Sequence, residues 1–222
     1  FGAMITHLIS ALLLQASPAT AEARPEPATL QADAPQPAFD RAAAIADINS
    51  YLNAITTLRA NFIQVSPDGS AVRGILSIAR PGRLLFEYED PSPIRVIADG
   101  TTVALEDRAL ETVDRVPLRS TPLWWLLKSD IDIANDAEVV DIRSEYGFLS
   151  VNVRDPNGEM DGDIEFVFAG PDLELREWFV TDALGEVTRV SLVETETGMA
   201  LNPRLFSIPD PDEQRDSRRG RR

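Results

Sequence analysis

The chain reads GILSIARPGRLLFEY from Gly74 to Tyr88, and this stretch decides the class of fold. Apolar side chains recur at every second position on both sides of a Pro-Gly pair, which is typical of two strands joined by a tight turn. Because alternate side chains of a strand share a face, each strand presents one apolar row. The members of the two rows are Leu76, Ile78 and Arg80, then Leu84, Phe86 and Tyr88. The stretch therefore predicts a hairpin with an arginine at the end of one apolar row.

The same alternation continues on both sides of this hairpin, from residue 60 onward, in short segments separated by Gly, Pro, Asn and Asp. It predicts strands near residues 61–65, 73–79, 84–88, 94–98, 101–106, 139–143, 149–154, 164–168, 173–180, 187–193 and 205–208. Turn-forming pairs such as Asp99-Gly100 join neighbouring segments, and few helices intervene. Both features favour an antiparallel meander over a parallel sheet.

Two helices are predicted outside the strands. The first begins at Asp40, whose carboxylate is placed to cap free N–H groups, and its apolar positions recur three and four residues apart. These positions are Ile45, Ile48, Ile55, Leu52 and Leu58.

The second predicted helix is short and covers the sequence TPLWWLLK at residues 121–128. Thr121 is a candidate N-cap, and Pro122 stands where a first-turn proline is favoured. The segment is apolar nearly all round, so it must be covered on every side or close over something apolar.

Composition limits the chemistry open to this protein. The 222 residues include no cysteine and a single histidine, His7, which excludes thiol nucleophiles, Ser-His-Asp triads and Cys/His zinc sites from the remainder of the chain. Catalysis by Asp, Glu, Ser or Tyr alone stays open but is disfavoured, so we predict a protein that is not an enzyme. The acidic loop at residues 155–163 does not have the ligand spacing of a calcium loop, and we expect a solvated turn there.

Charge argues against a nucleic-acid partner. The formal net charge is −15, whereas nucleic acids and anionic lipid surfaces require clustered cations. Residues 215–222 hold five arginines and one aspartate, so they carry +4 and the residues before them carry −19.

Four segments are predicted along the chain. Residues 1–23 contain the short apolar run LISALLL followed by small residues, which indicates a signal peptide and predicts a periplasmic protein. Residues 24–38 are rich in proline and alanine and are predicted to be a linker. Residues 39–209 are predicted to form one folded domain, and residues 210–222 an Arg-rich disordered tail.

Five short motifs occur in an order that resembles the periplasmic outer-membrane lipoprotein carriers, the LolA family. They are Phe62-x-Gln64; Gly74-x-Leu76 with Arg80-Pro81-Gly82-x-Leu84-x-Phe86-x-Tyr88 and Pro91; Ile97-Ala98-Asp99-Gly100; Thr121-Pro122 with Leu126-Leu127; and Phe206-x-Ile208-Pro209. The resemblance covers about residues 40–209.

The resemblance implies a mainly β fold with an α lid. The expected architecture is an incomplete (half) antiparallel β-barrel of about eleven strands, covered by the N-terminal helix and short internal helices. Arg80 matches the family arginine that holds the lid closed by hydrogen bonds to lid backbone carbonyls. The acyl-chain cavity is expected to be lined by Leu76, Ile78, Leu84, Phe86, Tyr88, Ile48, Leu52, Ile55, Leu123, Trp124, Trp125 and Leu127.

The resemblance also implies a function and its partners. The protein is expected to be a monomeric periplasmic chaperone, without a cofactor, that binds the acyl chains of lipoproteins. An inner-membrane lipoprotein-releasing ABC transporter would supply the cargo, and an outer-membrane lipoprotein receptor would take it. The alternative is a lipid- or peptide-binding regulatory or sensor module of the cell envelope.

Overall fold

The computed structural model describes residues 39–209, except residues 159, 161 and 171. The predicted signal peptide, linker and Arg-rich tail lie outside the described residues. The helices are α1 (Arg41–Ala54), α2 (Trp124–Leu127) and α3 (Ile133–Asp136), with 3-10 helices at Leu118–Ser120 and Pro203–Phe206. The strands are β1 (Thr57–Val65), β2 (Ala71–Ala79), β3 (Arg83–Tyr88), β4 (Ile94–Asp99), β5 (Thr102–Asp107), β6 (Thr112–Pro117), β7 (Glu138–Glu145), β8 (Phe148–Arg154), β9 (Asp163–Ala169), β10 (Glu174–Thr181) and β11 (Val187–Thr197).

All eleven strands belong to one antiparallel sheet, which confirms the predicted fold class. Its strand order is β6-β5-β4-β3-β2-β1-β11-β10-β9-β8-β7, so the first and last strands pair in the middle and β6 and β7 form open edges. The sheet is not closed into a barrel. The predicted count of eleven is right, although two of the individual assignments are wrong.

The sheet curls strongly around one of its faces. Three strands separate β3 from β10, which would place them about 19 Å apart in a flat sheet. Yet the ring centroids of Phe86 and Trp178, on these two strands, are 6.3 Å apart. We call this concave side the inner face and the opposite side the outer face.

Two strand predictions need correction. Strand β6 was not predicted, because most of its side chains are exposed at the sheet edge and Asp114, Arg115 and Pro117 interrupt its apolar alternation. The alternating residues 205–208 do not form a strand. Asn202 accepts a hydrogen bond from the Arg204 N–H at 3.0 Å and starts a 3-10 helix instead.

Helix α1 begins as predicted. The Asp40 carboxylate accepts a hydrogen bond from the Ala43 N–H at 3.0 Å. The helix ends at Ala54, so the last member of its predicted apolar set, Leu58, belongs to β1 instead, where it is also buried.

The predicted second helix is shorter than expected and begins later. Helix α2 starts at Trp124, and Leu123 is its N-cap residue. The Thr121 hydroxyl donates to the Leu118 carbonyl at 2.8 Å, so it closes the preceding 3-10 turn rather than capping α2. Among the described residues, no helix is long and apolar enough to cross a membrane.

Candidate functional site

The inner face and the helices that cover it form one continuous apolar interior. All twelve residues predicted to line a cavity lie in it. Nine are buried core members, namely Ile48, Leu52, Ile55, Leu76, Ile78, Leu84, Phe86, Trp125 and Leu127. Tyr88, Leu123 and Trp124 are partly buried and pack against them. We refer to α1 together with residues 118–137, which connect the two edge strands and carry α2 and α3, as the lid.

The strand register brings the predicted hairpin rows together. Leu76 pairs with Phe86, and Ile78 pairs with Leu84. Gly74 is required opposite Tyr88, since a Cβ atom there would lie 2.1 Å from the Glu87 carbonyl oxygen and 2.7 Å from the Phe62 ring. The missing side chain thus leaves room for an aromatic ring on the neighbouring strand.

That ring is the centre of an aromatic cluster. Phe62 makes edge contacts with Phe86 and Tyr88 at centroid distances of 5.0 and 5.2 Å. The hydroxyl of Tyr88 donates to Gln64 Oε1 at 2.7 Å, and burial raises the pKa of Tyr88 to about 12. The Tyr88 phenol therefore stays neutral throughout the physiological pH range.

The residues predicted to line a cavity do not include those on the far half of the inner face. Phe166, Phe168 and Trp178, on β9 and β10, are at most 1% exposed and join the same interior. Their alternate positions in the predicted strands 164–168 and 173–180 were the signal that could have found them. Tyr51 of α1 docks onto this half, where its hydroxyl accepts from the Leu175 N–H at 2.9 Å.

Arg80 bonds both lid segments. Its Nε and Nη2 atoms donate to the Lys128 carbonyl at 3.1 and 2.7 Å. Its Nη1 atom donates to the carbonyls of Leu52 and Ile55, the latter at 3.3 Å, and Nη2 also donates to Asn53 Oδ1 at 3.3 Å. These carbonyls belong to the C-terminal ends of α1 and α2, where helices leave acceptors without intrahelical partners. A single guanidinium therefore satisfies the ends of two helices.

The environment of Arg80 is partly desolvated. Burial lowers the pKa of its guanidinium, and the nearby Asp130 carboxylate acts in the opposite direction. An arginine stays charged despite such a shift, so its donors need acceptors at all times. The helix-end carbonyls supply these acceptors in the structure.

Two further contacts fix α2, one to the sheet and one to α3. The Gly82 N–H, in the turn between β2 and β3, donates to the Leu127 carbonyl at 2.7 Å. Lys128 forms an ion pair with Asp136 of α3, and its ammonium lies 5.7 Å from the Trp125 ring centroid. The sequence analysis did not anticipate either contact.

The remaining polar candidates do not form a site. Glu87 and Glu89, at the end of β3, are exposed. Residues 159 and 161 of the acidic loop lie outside the described residues. Within the described part of the chain, no group of three or more His, Cys, Asp or Glu side chains is placed to hold a metal ion. The interior itself is apolar and is filled by its own buried side chains.

Comparison with known proteins gives an independent result. A sequence model of a family described as outer membrane lipoprotein carrier protein LolA matches residues 53–209. The outer-membrane lipoprotein carrier protein of Methylococcus capsulatus is 28% identical over 174 residues, which cover 74% of this chain and 82% of that protein. The one from Dechloromonas aromatica is 27% identical over 185 residues, which cover 79% and 88%.

A solved structure supports the fold alone. The DUF1329 family protein from Desulfovibrio piger superposes with a TM-score of 0.50 at 8% identity, and the match covers 75% of this chain and 96% of that one.

Proposed function

The chain belongs to the family of outer-membrane lipoprotein carrier proteins, and on this premise we propose that it carries lipoproteins by enclosing their acyl chains between the lid and the inner face. The family is one of carriers and not a class of enzymes. The proposed site is the set of twelve inner-face and lid residues named above, with Arg80 as the latch of the lid.

The observation that carries this proposal is an apolar interior whose two cover segments are both hydrogen-bonded to one residue of the sheet hairpin, Arg80. Burial of a methylene group is worth about 0.8 kcal/mol, so exposing one long acyl chain to water costs on the order of 10 kcal/mol. A carrier must therefore enclose much of that chain. The interior offers both apolar strands below and apolar helices above.

The closed interior has to open before it can take cargo. Ile48, Leu52, Leu84 and Leu127 are at most 1% exposed, so they fill the space between lid and sheet with their own side chains. An acyl chain would replace these contacts as the lid moves away and the Arg80 donors exchange helix carbonyls for water. The gain from burying the chain offsets the loss of the internal contacts.

We place this carrier in the periplasm as a monomer. An inner-membrane lipoprotein-releasing ABC transporter would load it, and an outer-membrane lipoprotein receptor would unload it. Since cargo must leave again, the closed lid is part of the mechanism: it stabilises the empty carrier and so favours transfer to the receptor.

The test is a release assay with inner-membrane vesicles that hold a labelled lipoprotein and its export transporter. We expect the protein to release that lipoprotein as a soluble 1:1 complex. If a known carrier releases the lipoprotein from these vesicles and this protein does not, the proposal is overturned. A regulatory or sensor module would bind lipid or peptide but would not release the lipoprotein from the vesicles.

The role of Arg80 is tested by Arg80→Leu in the same assay. The variant should accept cargo and pass it on poorly to receptor-containing vesicles, because its empty state has lost the latch. Arg83→Leu is the matched control: Arg83 begins the next strand, with its guanidinium carbon 6.0 Å from the centroid of the Phe206 ring on the outer face. Normal transfer by Arg80→Leu would remove Arg80 from the mechanism.

A further inference from the structure

We propose that Asn53 is a positioning residue that joins the two segments of the lid, so that α1 and residues 128–133 move as one unit when the lid opens. This inference rests on the proposed carrier function. It concerns a side chain that neither the sequence pattern nor the apolar interior singles out.

The amide of Asn53 pairs with the backbone of a residue 78 positions away. Its Nδ2 donates to the Ile131 carbonyl at 2.9 Å, and its Oδ1 accepts from the Ile131 N–H at 2.9 Å. A primary amide offers both a donor and an acceptor side by side, which matches the two groups of one backbone residue. Asn53 thus holds Ile131 as a neighbouring strand would.

The same Oδ1 atom also meets the latch. Arg80 Nη2 donates to it at 3.3 Å and to the Lys128 carbonyl at 2.7 Å. Asn53, Arg80 and the backbone from residue 128 to 131 therefore form a closed circuit of hydrogen bonds. Arg80 bonds each lid segment to the sheet hairpin, whereas Asn53 bonds the two segments to each other.

A second asparagine, one helical turn earlier, supports this link. Asn49 Oδ1 accepts from the Ile133 N–H at 3.1 Å, and residues four apart lie on the same side of a helix. Ile131 and Ile133 are each 2% exposed, so the segment is seated on the interior as well.

The position of Asn53 suits a contact that must be broken and remade. Its side chain lies at the lid surface, in contrast to the buried Leu52 beside it. If cargo pushes the lid away from the sheet, the Arg80 bond to Asn53 can be exchanged for water at small cost, while the pair with Ile131 stays intact. The geometry therefore points to a break between lid and sheet rather than within the lid.

The absence of native cysteine makes this directly measurable, since introduced cysteines are the only labelling sites. Spin labels at Ala46→Cys in α1 and Ala134→Cys in α3 report the distance between the lid segments. Each of them combined with Glu87→Cys on the sheet reports lid opening. The probe is a synthetic triacylated cysteinyl peptide.

With the parent sequence, we expect the probe to change both lid-to-sheet distances and to leave the distance between α1 and α3 unchanged. Asn53→Ala should broaden or shift the α1-to-α3 distance. Asn135→Ala is the matched control, because Asn135 is an exposed lid amide that bonds to Asp132 within its own turn at 2.6 Å. An α1-to-α3 distance that stays single and unchanged in Asn53→Ala would overturn the proposal.

A readout without lipid separates this inference from the carrier function. In the empty protein, Asn53→Ala should speed hydrogen exchange of the Lys128 amide severalfold, although that amide donates to Trp124 and not to Asn53. Asn53→Asp keeps the Oδ1 acceptor but places a second carboxylate oxygen against the Ile131 carbonyl in place of the Nδ2 donor, so it should also speed this exchange. In Arg80→Leu, the added effect of Asn53→Ala should be smaller than in the parent. Equal exchange rates of the Lys128 amide in Asn53→Ala and Asn135→Ala would refute the link between the lid segments, even if lipoprotein release is confirmed. Conversely, this exchange measurement remains valid if the protein fails to release lipoprotein.

Discussion

The two faces of the sheet are both covered by other parts of the chain, but the covers are fastened in different ways. Over the inner face, the lid buries apolar side chains such as Leu52 and Leu127 and is tied to the sheet hairpin by hydrogen bonds from Arg80 and Gly82 to backbone carbonyls. Over the outer face, the segment after β11 places the 2% exposed Phe206 on Leu85 and Ile97. The outer segment is hydrogen-bonded as well, since Thr57 Oγ1 donates to the Met199 carbonyl at 2.8 Å and Arg115 Nη2 donates to the Pro209 carbonyl at 2.9 Å. The inner cover differs in that one partly buried guanidinium, that of Arg80, bonds two separate segments to the sheet. On the proposed function, we expect the inner cover to move and the outer cover to stay.

Phe206→Ala is expected to have the largest effect on stability. Removing a fully buried ring costs about 3–5 kcal/mol in free energy of unfolding, from lost transfer energy and the cavity left behind. Urea denaturation measures this loss. Amides of the lid should exchange faster only to the extent that the whole protein unfolds more readily. If Phe206→Ala instead speeds exchange in the lid more than elsewhere, the two covers are coupled.

Gly82→Ala should damage the fastening of the inner cover. Gly82 has φ of +76°, and a Cβ atom would lie 2.6 Å from Gly100 Cα, so the turn that donates to Leu127 must shift. We expect a loss of about 2–4 kcal/mol in free energy of unfolding, with increased binding of an apolar dye to the interior.

Gly69→Ala is its control. Gly69 has nearly the same φ, +81°, but nothing lies within 4 Å of its added Cβ. The expected loss is about 1 kcal/mol from backbone strain alone. Equal losses in the two variants would mean that the approach to Gly100 contributes nothing.

Alkaline pH should weaken the protein through Tyr88, beneath the inner cover. Its pKa is about 12 in the folded state, against 10.0 for an unperturbed tyrosine. The stabilisation is complete below pH 10 and is lost as the pH rises to 12, because the unfolded chain gives up its proton first. Between pH 9 and 12 the parent should lose about 1–3 kcal/mol more than Tyr88→Phe. If the free energy of unfolding falls with pH equally in the parent and in Tyr88→Phe, the raised pKa of Tyr88 is contradicted.

Asp40→Ala should have the smallest effect on the free energy of unfolding. Asp40 lies at the opposite end of α1 from the carbonyls that Arg80 bonds. Loss of the N-cap bond to Ala43 costs about 1 kcal/mol and should fray the first turn of α1. Hydrogen exchange of the Ala44 amide, which donates to the Asp40 carbonyl, reports this fraying. Asp47→Ala, in the middle of the same helix, should leave it unchanged.

Most of the fold could be predicted because burial leaves a periodic trace. Strand β9 alternates along its whole length, and the helical spacing of Ile48 and Leu52 placed α1. Strand β6 left no such trace, since it is an edge strand with little to bury. Phe206 misled the strand prediction because a single buried ring between exposed neighbours also looks like alternation.

The candidate site was predictable only in its apolar part. A row of side chains follows from the period of one strand, but a hydrogen bond between Arg80 and Lys128 joins residues 48 positions apart. Only the resemblance to the carrier family indicated what Arg80 contacts. For Asn53 no pattern exists at all, because a surface asparagine at the end of a helix is common and its partner is a backbone group.

The strand order has a consequence for how this chain folds. Strands β1 to β6 form one run of sequential hairpins and β7 to β11 another, and each run needs only short loops. They are joined by β1 and β11, where Phe62 faces Leu192 across 130 residues of sequence. Loop closure over that distance costs more entropy than any hairpin, and non-local pairing slows folding. We therefore expect two locally formed half-sheets whose docking along β1 and β11 limits the folding rate.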